Sequence, residues 1–342
     1  MIAVFFKIYE HFSIHTVRVE GLKEICKESD VEFKQILSYS RTRWLSLLPA
    51  VSRNIQLFEP LKAYFLSNES TNDIKLLKCY FENPLSKAYL FFIQDISQIF
   101  NMASKQLEYS ATSIVETLVI IEDIILRLEN RIKYDFISNN VKNILKNIVD
   151  SKISGDFIKE CKEAQKKGLI YLKKWTKQYD KFKIFEWTLL NQKDKISWAN
   201  IQKTINFMSE NGVNDVNDSM CLNQFSCLEN FFENFKKDLD SKSVNQKWQL
   251  FFTNFPLEEQ NSEFVKIIQY LFAIPCHSAN IERIFSLITA QWTDSRNKLK
   301  IETIKNLMYI KCNIDLTCMQ FFNHIKNNKQ LLEMCKHSDK YL

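Results

Sequence analysis

Apolar residues recur at steps of three and four positions along most of the chain. This spacing places apolar side chains on one face of an α-helix and polar side chains on the other. The clearest series runs from Ile114 to Ile132, and another follows Trp44. A third series consists of aromatic residues surrounded by lysines: Tyr171, Trp175, Tyr179 and Phe182. The pattern predicts several long amphipathic helices.

Two segments depart from the helical pattern. Residues 36–43 are a candidate strand, and residues 211–223, which are rich in Asn and Asp, are the best candidate loop. Helix-breaking residues are otherwise scarce, because the 342 residues include only four glycines and five prolines. We therefore expect a mainly α protein whose core is large enough for one or two domains.

Positive charge is concentrated in the middle of the chain. The net charge is +6, and residues 141–187 alone contain twelve lysines and six acidic residues. Lys173, Lys174 and Lys177 in this region are candidate phosphate contacts, which would bind DNA without sequence preference. The alternative is a buried aromatic stripe with the lysines on its solvated back. We favour the second interpretation, because charge runs are usually solvated faces.

The cysteines indicate a reducing compartment. There are nine, an odd number, and no two of them form a CxxC pair. The pairs Cys221/Cys227 and Cys312/Cys318 are weak candidates for zinc half-sites, since a structural site needs four ligands and histidines are few. We expect no secretion signal and no membrane-spanning helix, so the predicted location is nuclear or cytoplasmic.

Two motifs resemble those of a known family. Residues 278–286 read SANIERIFS and residues 292–298 read WTDSRNK, which is similar to the C-terminal block of hAT-superfamily transposases. Residues 42–47, TRWLSL, resemble the Arg-Trp motif of the same family. Matches at both ends of the chain are more specific than any one of these short motifs.

The resemblance implies an architecture. In the family, a ribonuclease-H-like fold is interrupted by a large helical insertion. Residues 1–43 would then be a remnant of the ribonuclease-H-like domain, residues 44–257 the helical insertion, and residues 258–342 the C-terminal dimerisation region. The expected fold is mainly α, a helical insertion domain with a truncated ribonuclease-H-like remnant formed by both chain ends.

The resemblance also implies a vestigial catalytic residue. The family uses three acids to hold divalent metal for strand transfer, and Glu282 matches the third acid. The first two, with a Cys-x-x-His element, are expected upstream of Met1. A single carboxylate cannot clamp two cations, so we expect no enzyme and no cofactor, unless a divalent metal site is completed elsewhere. The favoured alternative for Glu282 is a helix-dipole contact worth about 0.3–1 kcal/mol.

Arg43 and Trp44 match a motif whose tryptophan can stack on an extruded base near the transposon end. A flat ring replaces lost base stacking, and the adjacent cation can contact phosphate. The alternative is a tryptophan buried at a domain junction, with Arg43 paired to a carboxylate. We favour the alternative, because large aromatic residues are usually part of a core.

Two apolar helix faces in the last third of the chain predict self-association. In the family, this pair of helices contributes to contacts between subunits, so a homodimer or a higher oligomer is expected. The apolar residue Ile281 stands where many members have serine, which indicates packing. The candidate residues are Ile281, Ile284, Phe285, Ile288, Leu299, Ile304, Leu307 and Met308.

Together these features predict a transposase-derived, domesticated protein that acts as a dimerisation and DNA-binding module and is catalytically incomplete. Two alternatives stay open: an active or fragmentary DNA transposase, and a decayed transposon product without function. We expect neither a membrane partner nor a small-molecule substrate.

Overall fold

A computed structural model describes residues 2–40, 44–67, 72–108, 112–254, 263–276 and 279–326, together with residues 328, 330, 332 and 333. These residues form sixteen α-helices, and no strand occurs among them. The prediction of a mainly α protein is therefore confirmed. The ribonuclease-H-like remnant at the two chain ends stays a prediction.

The helices follow one another with short connections. Their bounds are α1 Ile2–Ser13, α2 Thr16–Glu28, α3 Leu47–Gln56, α4 Phe58–Ser67, α5 Asn72–Glu82, α6 Ser86–Leu107, α7 Ile114–Lys133, α8 Asn139–Lys146, α9 Ser151–Thr176, α10 Trp198–Glu210, α11 Asp218–Leu239, α12 Val244–Thr253, α13 Glu263–Ala273, α14 Ala279–Gln291, α15 Ile301–Asn313 and α16 Cys318–Lys326. The 3-10 segments are Trp44–Ser46, Lys177–Leu189, Lys193–Lys195 and Asp294–Arg296. None of the helices in the described ranges has a stretch long and apolar enough to cross a lipid bilayer.

The chain divides into two compact units, Met1–Cys276 and His277–Leu342. The first unit contains α1 to α13 and the second contains α14 to α16. The resemblance predicts three segments by common origin, 1–43, 44–257 and 258–342. The division into two compact units does not test these boundaries, so they stay a prediction.

Two local predictions need correction. The candidate strand at 36–43 is irregular from 31 to 40, and residues 41–43 lie outside the described residues. Its buried Ile36 joins the core of α1, α2 and α4 without pairing to another strand. The candidate loop at 211–223 ends early, because the side chain of Asn217 accepts a hydrogen bond from the Met220 backbone N–H (3.0 Å) and α11 begins at Asp218.

Helix α7 begins and packs as its apolar stripe predicts. Ser113 and Glu116 form a reciprocal capping box, in which each side chain accepts a hydrogen bond from the other residue's backbone N–H. Ile114, Leu118 and Leu128 are buried. The inner face of α7 contacts α6 and α9. The apolar stripe is thus the side of α7 that packs against α6 and α9.

An aromatic core holds the N-terminal helices together. Phe12 on α1 packs against Tyr64 and Phe65 on α4, and the ring of Phe65 stacks on that of Phe81 with centroids 5.5 Å apart. His11 belongs to the edge of this core, where its Nε2 lies 3.2 Å from the Tyr64 hydroxyl. Such ring contacts bury large apolar areas and fix the angles at which α1, α4 and α5 pack.

A second aromatic core surrounds two tryptophans. Trp187 and Trp248 are fully buried and meet edge to face, with centroids 5.8 Å apart. Each indole N–H has an acceptor, the Thr204 hydroxyl for Trp187 (2.9 Å) and the Thr188 carbonyl for Trp248 (2.8 Å). The polar atoms of both rings are therefore satisfied inside the core, which removes the cost of burying them.

The 3-10 segment Lys177–Leu189 is fixed by side chains of neighbouring helices. The Thr204 hydroxyl on α10 donates to the carbonyl of Ile184 (3.0 Å). The buried ammonium of Lys247 on α12 donates to the carbonyl of Leu189 (2.7 Å) and to the side chain of Asn191. Burial lowers the pKa of Lys247. These donors satisfy carbonyls that an irregular end of a helix would otherwise leave unpaired.

We expect the N-terminal core to lose stability in mild acid because of His11. Burial, together with Arg18 and His15, lowers the pKa of this imidazole from 6.5 to about 4. Between these values the unfolded chain binds a proton that the folded chain does not. The free energy of unfolding should therefore fall as the pH falls through this window, by on the order of 1 kcal/mol after allowance for solvent screening, and should be unaffected above it.

Urea unfolding followed by circular dichroism at pH 7 and near pH 4.5 measures this effect. His11→Gln should reduce the pH dependence, whereas the control His324→Gln, at an exposed position on α16, should not. An equal pH dependence in the wild type and in His11→Gln would contradict the assignment.

Candidate functional site

Helix α9 carries the first candidate surface. It is 26 residues long, which corresponds to about 39 Å. It begins where the Asp150 side chain accepts a hydrogen bond from the Lys152 backbone N–H (2.8 Å). Phe157 and Cys161 are buried on its inner face, and Leu169 and Leu172 pack against the core formed by α6 and α7. The helix is thus anchored along one side and exposed along the other.

The exposed side of α9 presents two aromatic rings. Tyr171 is 64% exposed and Trp175 is 57% exposed, while Ile170 beside them is also exposed. The two ring centroids are 5.9 Å apart and the ring planes are tilted by 50°. The favoured interpretation of a buried aromatic stripe is therefore wrong for these two residues. It is correct for Tyr179 and Phe182, which pack against the tryptophan core.

The lysines around these rings differ in their partners. Lys173 forms an ion pair with Glu129 on α7 (2.5 Å), so its charge is directed to the neighbouring helix. Lys174 and Lys177 are exposed, and neither forms an ion pair within the part of the chain that the structure describes. Of the three lysines predicted to bind DNA, the latter two have ammonium groups available to a phosphate.

Two further lysines belong to this surface, although they were not among the predicted phosphate contacts. Lys166 and Lys167 are exposed, one turn before Tyr171, and form no ion pair among the described residues. Residues 164–179 include five lysines and no acidic residue. The helical spacing of Lys167, Tyr171 and Lys174 would have placed them on neighbouring positions of one face. We call the side chains of Lys166, Lys167, Tyr171, Lys174, Trp175 and Lys177 the α9 surface.

The side chains of the Arg-Trp motif, Arg43 and Trp44, are not among those that the structure describes. Arg43 lies outside the described residues. Trp44 begins the 3-10 segment Trp44–Ser46, and its side chain is also outside the described set. The stacking role proposed by resemblance for these two residues stays a prediction.

Glu282 lies in the first turn of α14 and its side chain is exposed. Among the described residues, no three His, Cys, Asp or Glu side chains come together in a group that could hold a metal ion. These residues do not fit a centre with two metal ions, so no metal-dependent step is assigned to Glu282. Its position in the first turn does suit a carboxylate that interacts with the helix dipole.

Helices α14 to α16 carry the second candidate surface. Ile281, Ile284 and Phe285 are exposed on α14. Ile288, Leu299 and Leu307 are half-buried, and Ile304 and Met308 are buried where α15 packs on α14. Of the eight residues predicted for self-association, the first three are therefore accessible to a partner, and the buried pair supports the surface from behind.

Further apolar side chains on these helices were not among the eight residues predicted for self-association. They are exposed on α15 and on α16, and α16 has no buried residue at all. The exposed residues are Ile301, Tyr309, Ile310, Met319, Phe321 and Phe322. We call these six residues, together with Ile281, Ile284 and Phe285, the apolar surface of α14–α16. The closely spaced Met319, Phe321 and Phe322 were a signal that the sequence contained.

Cys221 is unsuited to the zinc half-site considered for Cys221 and Cys227. Cys221 is buried in the tryptophan core, and burial raises the pKa of its thiol to about 12, which keeps it protonated. Cys227 is only half-buried, and Cys312 and Cys318 are exposed. A protonated, buried thiol is a poor metal ligand because ligation needs the thiolate.

A cleft of about 580 Å³ lies between α6, α7 and α12. Its polar lining includes the side chains of Lys105, Asp240, Lys242 and Lys247. Glu116, also in the lining, has both oxygens engaged, because it accepts hydrogen bonds from Ser113 and from the Val244 backbone N–H (3.0 Å). Glu116 thus joins α7 to α12, and Lys247 joins α12 to the 3-10 segment that ends at Leu189.

Comparisons of the chain with protein-family models, with curated proteins and with solved structures give no match. The resemblance to hAT transposases stays a prediction. The candidate functional sites are the α9 surface and the apolar surface of α14–α16.

Proposed function

We propose that this chain is a self-associating protein, in which the apolar surface of α14–α16 joins two copies. The observation that carries the proposal is the exposure of large apolar side chains on all three helices of one small unit. Contact of these apolar side chains with water is unfavourable by about 25 cal/mol per Å² of apolar area. Covering such side chains is therefore a driving force for association.

The state of α16 favours a second copy as the partner. The helix has nine residues and none of them is buried, whereas isolated helices shorter than about 12 residues are marginal in water. The described residues of its own unit do not bury the apolar side chains of α16, so a partner has to bury them. A second copy brings the same apolar surface, and closed two-fold contacts are the most common arrangement of homo-oligomers.

Light scattering of the purified chain should show a dimer or a larger species at micromolar concentration. Phe285→Asp and Phe322→Asp should each shift the population toward monomer, because a carboxylate would be buried in the contact. The matched control is Leu126→Asp, an equally exposed apolar position on α7, which should leave the mass unchanged. A wild-type chain that is monomeric throughout this range would exclude the proposal.

We also propose that the α9 surface contacts nucleic acid. The specific observation is an exposed pair of rings among lysines that have no ion-pair partner in the described structure. Lysines bind phosphates through their charge and release condensed counterions, so the contact is independent of sequence and weakens with added salt. The proposed biological role is that of a transposase-derived dimerisation and DNA-binding module without catalytic activity.

The affinity for nucleic acid should fall linearly with salt on logarithmic axes. If Lys166, Lys167, Lys174 and Lys177 each contact one phosphate, the slope should be roughly −3 to −4. The triple change Lys173→Gln, Lys174→Gln and Lys177→Gln should reduce both the affinity and the slope. Lys173→Gln alone should have the smaller effect, because that ammonium is paired with Glu129.

Gel-shift or anisotropy titrations at several salt concentrations measure these quantities. The control pair is Lys203→Gln with Lys237→Gln, two exposed lysines on α10 and α11. Equal losses in the control and in the α9 variants would place the contact elsewhere or show only a dependence on net charge.

We expect the purified chain to leave DNA intact. Strand transfer requires carboxylates that hold two metal ions, and only Glu282 matches the set implied by the resemblance. Incubation with Mg²⁺ or Mn²⁺ and a transposon-end duplex should give no nicks, and Glu282→Gln should behave in the same way. Metal-dependent nicking that is lost in Glu282→Gln would instead support the active-transposase alternative.

A chain that neither self-associates nor binds nucleic acid would support the decayed-product alternative.

A further inference from the structure

We infer that the α9 surface recognises single-stranded nucleic acid, with the rings of Tyr171 and Trp175 stacking on unpaired bases while the lysines contact the backbone. The inference rests on the proposed nucleic-acid contact of the same surface and specifies its ligand. Stacking of bases on aromatic side chains, beside a positively charged track for phosphates, is the general chemistry by which proteins bind single strands.

The geometry of the ring pair fits unpaired bases better than a duplex. The centroids of Tyr171 and Trp175 are 5.9 Å apart, whereas successive bases of one duplex strand are separated by about 3.4 Å. The 50° tilt means that neither ring covers the face of the other, so both keep an accessible π-face. In a duplex the base faces are already stacked, and rings on a convex helix could meet only its grooves or its backbone.

The surface beside the rings is open. Gly168 lies one turn before Tyr171, and a Cβ atom built at this glycine would meet nothing within 4 Å. Side chains of a helix lean toward its N-terminus, so Gly168 lies on the side toward which the Tyr171 ring points. Gly168 itself therefore has no side chain to cover the ring or to obstruct an incoming base.

The charge around the rings suits a phosphate backbone. Tyr171 is flanked by Lys167 and Lys174 at spacings of four and three residues, which places these three side chains on one face, and Trp175 follows Tyr171 at a spacing of four. Within 164–179 there is no carboxylate to repel a phosphate. Tyr171 therefore lies between two cations along one exposed side of the helix, which suits a base stacked on the ring with phosphates beside it.

A lipid surface fits the same helix less well. Helices that lie in a membrane interface bury a broad apolar face, commonly of Trp, Phe and Leu. The leucines of this part of α9, Leu169 and Leu172, instead pack into the core of their own unit. The outward apolar groups are Ile170 and two rings that have polar atoms at their edges. We therefore argue for nucleic acid and treat lipid binding as an outcome of the test.

The test is an anisotropy titration with three labelled probes at low salt. The probes are an oligothymidine of about 16 nucleotides, the matching oligouridine, and a DNA duplex of the same length. The two single-stranded probes distinguish DNA from RNA as the source of the strand. We expect at least one of them to bind about tenfold more tightly than the duplex.

The variants Tyr171→Ala and Trp175→Ala should each weaken single-strand binding by about tenfold, because each removes a ring on which a base stacks. Neither change should affect duplex binding. Trp175→Phe keeps a flat ring and should retain most of the affinity. The matched control is Tyr134→Ala at the end of α7, where the tyrosine is 68% exposed and the Lys133 ammonium lies 5.3 Å from its ring centroid.

The outcomes separate this inference from the proposed function. If duplex and single strand bind equally, and lysine variants weaken both while ring variants weaken neither, the inference is wrong and the proposed nucleic-acid contact stands. If no probe binds, both are wrong. Vesicles of phosphatidylcholine with phosphatidylserine are the fourth probe. If the chain binds these vesicles and no nucleic acid, and Trp175→Ala abolishes this binding, the inference is wrong and the surface binds lipid.

Discussion

The first unit depends on the way its 3-10 segment, Lys177–Leu189, is held. The segment has thirteen residues, and 3-10 runs beyond three or four residues are uncommon because their hydrogen-bond geometry is poor. Buried donors compensate for this: the Thr204 hydroxyl, the Trp248 indole and the Lys247 ammonium all bind carbonyls of the segment. Because these donors belong to α10 and α12, the segment keeps its shape only while both helices pack against it.

The same segment determines where the aromatic residues that follow α9 are directed. At Lys177 the chain changes from about 3.6 to about 3.0 residues per turn. Tyr179 and Phe182 are consequently rotated roughly 100° around the axis from Trp175 and meet the tryptophan core. Tyr171 and Trp175 stay on the solvent side of α9. The burial of Tyr179 and Phe182 therefore depends on buried hydrogen bonds of the 3-10 segment, whereas the ring pair is exposed because the opposite side of α9 packs into the core.

This explains how far the sequence could predict the fold and the site. Local periodicity was sufficient for the helical class and for the inner face of α7, because both depend on neighbours three and four positions apart. It could not separate Trp175 from Tyr179, since the change of helix type depends on donors such as Thr204, distant in the sequence. Nor could it show that Lys173 is paired with Glu129, 44 residues earlier.

The two proposed surfaces would reinforce each other in an assembled protein. A single α9 surface offers only a few phosphate contacts, so its affinity for a strand at physiological salt should be weak. Joining two copies through α14–α16 makes the second contact with the same strand intramolecular, which can raise the overall affinity by about 10²–10⁴ without any new contact. Linkage requires the reverse as well: a strand long enough to reach both α9 surfaces must strengthen self-association by the same factor. Association and nucleic-acid binding are then one coupled equilibrium.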